Sequence, residues 1–137
     1  MTTSFLEILE NNTVKDNTSA ALDILEEFCK AIRDYTGQRL ECWLSQGFLV
    51  NMGQEWRVMV KPVSRDFEQI LLRAYVPLNG FPAWLDIYDE EPIRCVDDAS
   101  LRENLAGFLR QDTIIETILF LKKQAADQKT SRRSVTR

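Results

Sequence analysis

Histidine is absent from all 137 residues. Catalytic triads and Cys-His dyads that depend on an imidazole are therefore excluded, together with the usual His-containing zinc sites. Glycine is scarce, with five residues, and none falls in a G-x-G-x-x-G or Walker pattern, so no phosphate-cradling loop is expected. The three cysteines, Cys29, Cys42 and Cys95, are odd in number, widely spaced and set among apolar neighbours. That pattern predicts buried reduced thiols rather than a disulfide framework. A nucleophilic thiol needs exposure and a lowered pKa, whereas Cys29 falls on a helical apolar stripe and Cys42 on an apolar strand row. Apolar runs are short too. None approaches the roughly 20 residues of a transmembrane helix, and Met1 to Glu7 lacks the basic start and long apolar stretch of a secretory signal. A cytoplasmic location without membrane contact is the expectation, which makes the Asn-x-Thr/Ser matches at Asn11 and Asn17 chance occurrences.

What is present is a chain of ordinary globular composition, 45% hydrophobic and 28% charged, long enough for one core that needs no metal or disulfide. Residues 1–126 read as a single α+β domain and 127–137 as a disordered basic tail. The net charge is −4, unevenly placed. Lys129, Arg132, Arg133 and Arg137 face only Asp127 in the tail, leaving 13 basic and 20 acidic residues before Ala125. An acidic body repels phosphate backbones, which excludes nucleic acid as the main ligand. The four tail cations would give only weak, salt-sensitive attraction to anionic lipid or nucleic acid.

Periodicity supplies the architecture. Ser4-x-x-Glu7 matches a capping box opening a short helix to about Glu10, followed by a polar loop from Asn11 to Asn17. From Thr18 or Ser19 to Gly37 the strongest helical signal follows, with Ala21, Leu25, Phe28, Ile32 and Tyr35 at steps of three and four, widened by Leu22, Ile24 and Cys29. Four alternating stretches come next, from Leu40 to Tyr88. Their first face is expected to hold Leu40, Cys42, Leu44, Phe48, Val50 and Met52, then Trp56, Val58 and Val60, then Ile70, Leu72, Ala74, Val76 and Leu78, then Ala83, Leu85 and Ile87. Gly47 marks a bend or bulge, and the short connections force an antiparallel meander. Ile93 to Val96 adds a fifth edge strand. Two helices close the domain, one capped by Asp97, Asp98 or Ser100 and reaching about Leu109, the other from Asp112 and Thr113 to about Ala126. The fold class is thus α+β, with an N-terminal helix on a four- to five-stranded antiparallel meander and two C-terminal helices.

The opposite sheet face is apolar enough to matter. Strict alternation sets Trp43, Leu49, Met59, Leu71, Tyr75, Trp84 and Tyr88 there, and Phe120 belongs to a final helix that is apolar over much of its circumference. Together these form the candidate interaction surface, since large apolar patches mark partner or dimer interfaces unless the chain's own helices cover them. No catalytic, cofactor-binding or metal site is expected. The acidic segment of Asp86, Asp89, Glu90, Glu91, Asp97 and Asp98 is the one candidate for a hard cation, but it does not match an EF-hand loop, and Asp97 and Asp98 are also helix caps.

The helix Ala20 to Tyr35, the strands with Trp56-Arg57-Val58-Met59-Val60 and Ile70-Leu71-Leu72-Arg73-Ala74-Tyr75-Val76, and the helix Thr113 to Ala126 resemble the outline of the type III secretion chaperone-like group, including the YbjN-like proteins. The resemblance covers about Ser19 to Ala126. Between the third and fourth strands, where that group has a helix, Leu78 to Ala83 leaves room only for a turn. The resemblance implies a dimeric binder of extended protein segments rather than an enzyme. The functional expectation is a small acidic protein-binding or chaperone-like module, homodimeric, without a cofactor. Two alternatives stand beside it: a calcium or small-molecule binder using residues 86–98, and an immunity or inhibitor protein directed at a basic target.

Overall fold

The computed structural model describes residues 4–135, with side chains through residue 125. A short α1 (Phe5–Glu10) and a longer α2 (Ser19–Tyr35) precede strands β1 (Leu40–Val50), β2 (Gly53–Pro62), β3 (Gln69–Val76), β4 (Ala83–Asp86) and β5 (Ile93–Cys95); α3 (Asp98–Leu109) and α4 (Asp112–Val135) follow. The sheet is an antiparallel meander in the order β1-β2-β3-β4-β5. The α+β class and the order of elements follow the periodicity.

Local chemistry sets the helix ends. Ser4 caps α1 by accepting a hydrogen bond from the Glu7 amide. α2 ends in a Schellman motif: the Gln38 amide donates to the Arg33 carbonyl at 2.9 Å and the Gly37 amide to the Asp34 carbonyl at 3.1 Å. Gly37, at φ 61°, supplies the left-handed turn that this motif requires. Asp97 caps α3, and Ser100 sits as its third residue, returning the bond to the Asp97 amide at 3.1 Å. Of the three candidates Asp97, Asp98 and Ser100, the N-cap is therefore Asp97, with Ser100 completing its capping box. α4 already includes Thr113 in its first turn and continues in backbone past Ala126 to Val135. The α4 backbone thus enters the 127–137 stretch; Thr136 and Arg137 lie outside the described residues.

All three longer helices pack on one side of the sheet. Ala21, Ile24, Leu25, Phe28, Cys29 and Ile32 of α2, Leu101, Leu105 and Phe108 of α3, and Ile118 and Leu121 of α4 join one buried cluster. Its strand members are Leu40, Cys42, Val58, Val60, Leu72, Ala74, Val76, Ala83, Leu85 and Cys95. Phe28 and Phe108 meet with ring centroids 6.3 Å apart, tying α2 to α3. Burying side chains of this size contributes about 1.5–3 kcal/mol each.

Two bulges change the expected rows. In β1 the register with β2 shifts between Gln46 and Leu49, so beyond the bulge Leu49 lies on the side of Trp56, while Phe48 is carried to the other face and Phe48 and Val50 are exposed. In β3 the register shifts between the partners of Val58 and Met59, pairing Met59 with Ile70. Ile70 is thereby exposed at the far side, and Leu71 packs against the core instead. Leu78 and Tyr35 are also exposed, the first because β3 ends at Val76 and the second because it ends α2.

Candidate functional site

The second face of the sheet is the candidate site. Its side chains fall into three cross-strand rows set by the register. One row is Trp43, Met59 and Ile70; the next is Ser45, Arg57, Arg73 and Asp86; the third is Glu55, Tyr75, Trp84 and Arg94. None of these residues belongs to the buried cluster beneath the helices, and α1 buries no residue at all. Among the described residues no helix lies over this face.

At its centre Glu55 is only 7% exposed. The Arg57 guanidinium donates to Glu55 Oε1 through Nε and Nη2, each at 2.9 Å, and Arg73 Nε lies 3.3 Å from Glu55 Oε2. The Phe48 amide adds a donor to Oε1 at 3.4 Å, and the Arg57 guanidinium lies 5.7 Å from the centroid of the Phe48 ring. A carboxylate this far from water requires such partners. The β1 bulge makes the space: a Cβ on Gly47 would stand 1.8 Å from Glu55 Oε1. Glycine is needed here for close approach.

The rim is amphipathic. Tyr75 is buried against its row, with its hydroxyl 3.5 Å from Asp86 Oδ2; burial pushes its pKa up, and the nearby Asp86 and Glu55 carboxylates push it further. Lys61 and Glu41 form an ion pair at 3.0 Å. Trp43, Met59 and Trp84 are half-buried. The chemistry on offer is recognition: flat aromatic and thioether surface beside guanidinium groups. Both Glu55 oxygens already face cationic donors.

Of the residues expected on this surface, the structure brings together Trp43, Met59, Tyr75 and Trp84. It separates the other four. Leu49, 78% exposed, belongs to the hairpin tip on the opposite side of the bulge; Leu71 joins the core; Tyr88, 88% exposed, lies in the turn beyond the end of β4; Phe120 projects from α4 on the helical side. Glu55 and Gly47 are the residues that alternation alone did not single out. Their signal was an acidic residue in an apolar strand opposite a glycine-marked bulge.

The remaining candidates do not assemble. Asp97 is engaged as the α3 cap, and Asp89, Glu90, Glu91 and Asp98 are exposed. Among the described residues no three Cys, Asp or Glu side chains are grouped to hold a metal ion. Cys29 and Cys42 are buried, and the neighbouring Cys42 thiol together with burial holds the Cys29 thiol well above its usual pKa. Burial also raises the pKa of Cys95. No helix of the described residues is long and apolar enough to cross a membrane. No protein-family model, curated protein or solved structure matches the chain.

Proposed function

We propose that this chain is a non-catalytic, chaperone-like binding module, working without a cofactor in the cytoplasm, that engages another protein through the second face of its sheet. The observation that carries the reading is the helix-free face on which Trp43, Met59 and Trp84 flank the Glu55–Arg57–Arg73 cluster. Aromatic, Met and Arg side chains are the types enriched in interface cores. The buried cluster holds two guanidinium groups in place before a partner arrives, which lowers the ordering cost of binding. The resemblance to the type III secretion chaperone-like group supports the same reading from the side of outline.

Photo-crosslinking in cells tests it. A benzophenone amino acid at Met59 should give a protein-sized adduct, and the same group at Asp23, exposed on α2, should not. Equal labelling at both positions, or none at Met59, would remove the support for the face as the site.

A further inference from the structure

We infer that the open sheet face receives the α1 helix of a second copy of this chain, in a reciprocal exchange of arms. The inference rests on the proposed function and names the occupant. α1 turns Phe5, Leu6, Ile8 and Leu9 to solvent, Phe5 being 83% exposed. Its six residues fall well short of the roughly 12–15 that an isolated helix needs to hold itself in water. Such a helix needs a surface, and its own body does not provide one.

The root of the arm is fixed. The Asn17 amide donates to the Leu78 carbonyl at 2.8 Å, the Val14 amide to the Asn12 side-chain oxygen at 2.8 Å, and the Thr18 amide to Asp16 Oδ1 at 3.1 Å. Gly80 packs so closely that a Cβ there would stand 2.6 Å from the Asn17 carbonyl oxygen. The arm is thus held against the β3–β4 loop, and α1 is carried clear of its own core.

Charge and size match the face. α1 carries Glu7 and Glu10 and no basic residue. The face carries Arg57, Lys61, Arg73 and Arg94 against Glu41, Glu55 and Asp86. All three of those acids are already engaged, Glu41 by Lys61, Glu55 by two arginines and Asp86 by the Tyr75 hydroxyl. An arriving pair of carboxylates therefore meets Arg73 and the exposed Arg94, while Phe5, Leu6, Ile8 and Leu9 meet Trp43, Met59 and Trp84. A helix of this length, about 9 Å, spans two strands set about 4.8 Å apart. A two-fold exchange covers both faces with both arms at once.

Sedimentation equilibrium decides the matter on five samples: the full chain, a chain lacking residues 1–11, Arg73→Glu, Glu7→Arg with Glu10→Arg, and an equimolar mixture of the two charge variants. α1 adds nothing to the core, so the shortened chain should keep its circular dichroism and melting temperature. The full chain is expected to dimerise. The shortened chain and each charge variant alone should dissociate with at least about a tenfold rise in Kd, and the mixture should re-associate, because each reversed arm then meets a reversed face. A monomeric full chain, a dimer that survives the deletion through the β1 edge, or a mixture that stays monomeric would each overturn the exchange. A monomer whose Trp43 and Trp84 fluorescence responds to the deletion would assign the face to its own arm instead, and also overturns it. Crosslinking from Met59 in the full chain separates this from the proposed function: an adduct with a second copy that is lost on deletion of residues 1–11 supports the exchange, an adduct with another protein alone leaves that function standing without the exchange, and no adduct removes both.

Discussion

The two faces of the sheet are built from alternate residues of the same strands, yet they obey different physics. On the covered face Val58, Val60, Leu72 and Leu85 are sealed beneath three helices, and polar groups are admitted only when satisfied locally, as where the Thr36 hydroxyl donates to the Ile32 carbonyl at 3.0 Å and accepts from the Leu40 amide. On the open face charge penetrates to the centre of the sheet, and Glu55 is kept there by two arginines and a glycine. The first face specifies the fold by exclusion of water. The second tolerates water and draws its specificity from pairing, which suits a surface meant to be covered by something else.

The sharpest way to break the contrast is to place the same charge on neighbouring residues of β2. Val58→Asp should cost about 4 kcal/mol or more, because it buries an unpaired carboxylate in the core. Met59→Asp should cost less than about 1 kcal/mol in urea denaturation. Equal losses would mean that the second face is sealed as well.

A smaller effect tests the close approach at the bulge. Gly47→Ala should destabilise by about 1–3 kcal/mol, since its methyl group displaces the Glu55 carboxylate. In a Glu55→Ala background the same change should cost no more than about 0.5 kcal/mol, a coupling that a double-mutant cycle measures directly.

Titration distinguishes the faces in another way. The Cys29 pKa is raised in the folded chain, so its contribution is whole below the unfolded value near 8.5 and is lost as the pH rises above it, at about 1.4 kcal/mol per pH unit. Cys29→Ala should flatten that alkaline slope even though it opens a small cavity. The Tyr75 pKa shifts the same way, so its contribution is lost only above about pH 10, and Tyr75→Phe should leave the earlier slope unchanged. The smallest effect belongs to the Lys61–Glu41 pair at the rim: Lys61→Ala should change stability by less than about 1 kcal/mol and only at low salt.

Much of the covered face was legible because period-two alternation and the stripe Ala21, Leu25, Phe28, Ile32 encode burial directly. The open face was legible only in part. Trp43, Met59, Tyr75 and Trp84 obey alternation across an unbroken ladder, but each bulge inverts the parity of the strand residues beyond it. Gly47 hinted at the first; nothing in Gln69-Ile70-Leu71-Leu72 announces the second, since any of these residues fits either side of a strand. Glu55 stayed hidden for a different reason. Arg57 lies two residues on in the same strand, but Arg73 comes from the next strand and the Phe48 amide from the bulge over Gly47, and pairing across strands is a property of register rather than of local sequence.

The sequential order of the strands bears on how the chain folds. β1 and β2 are joined by Asn51 and Met52 alone, and each later strand adds to the one just made across six residues. Ring closures of this size take well under a microsecond, and hairpins a few microseconds, so the sheet should zip from its first hairpin toward β5 with little entropic penalty per step. The slow event is then the docking of α4 with α2, the two ends of the domain. Truncation within α4 should accordingly raise the unfolding rate far more than it lowers the rate of folding.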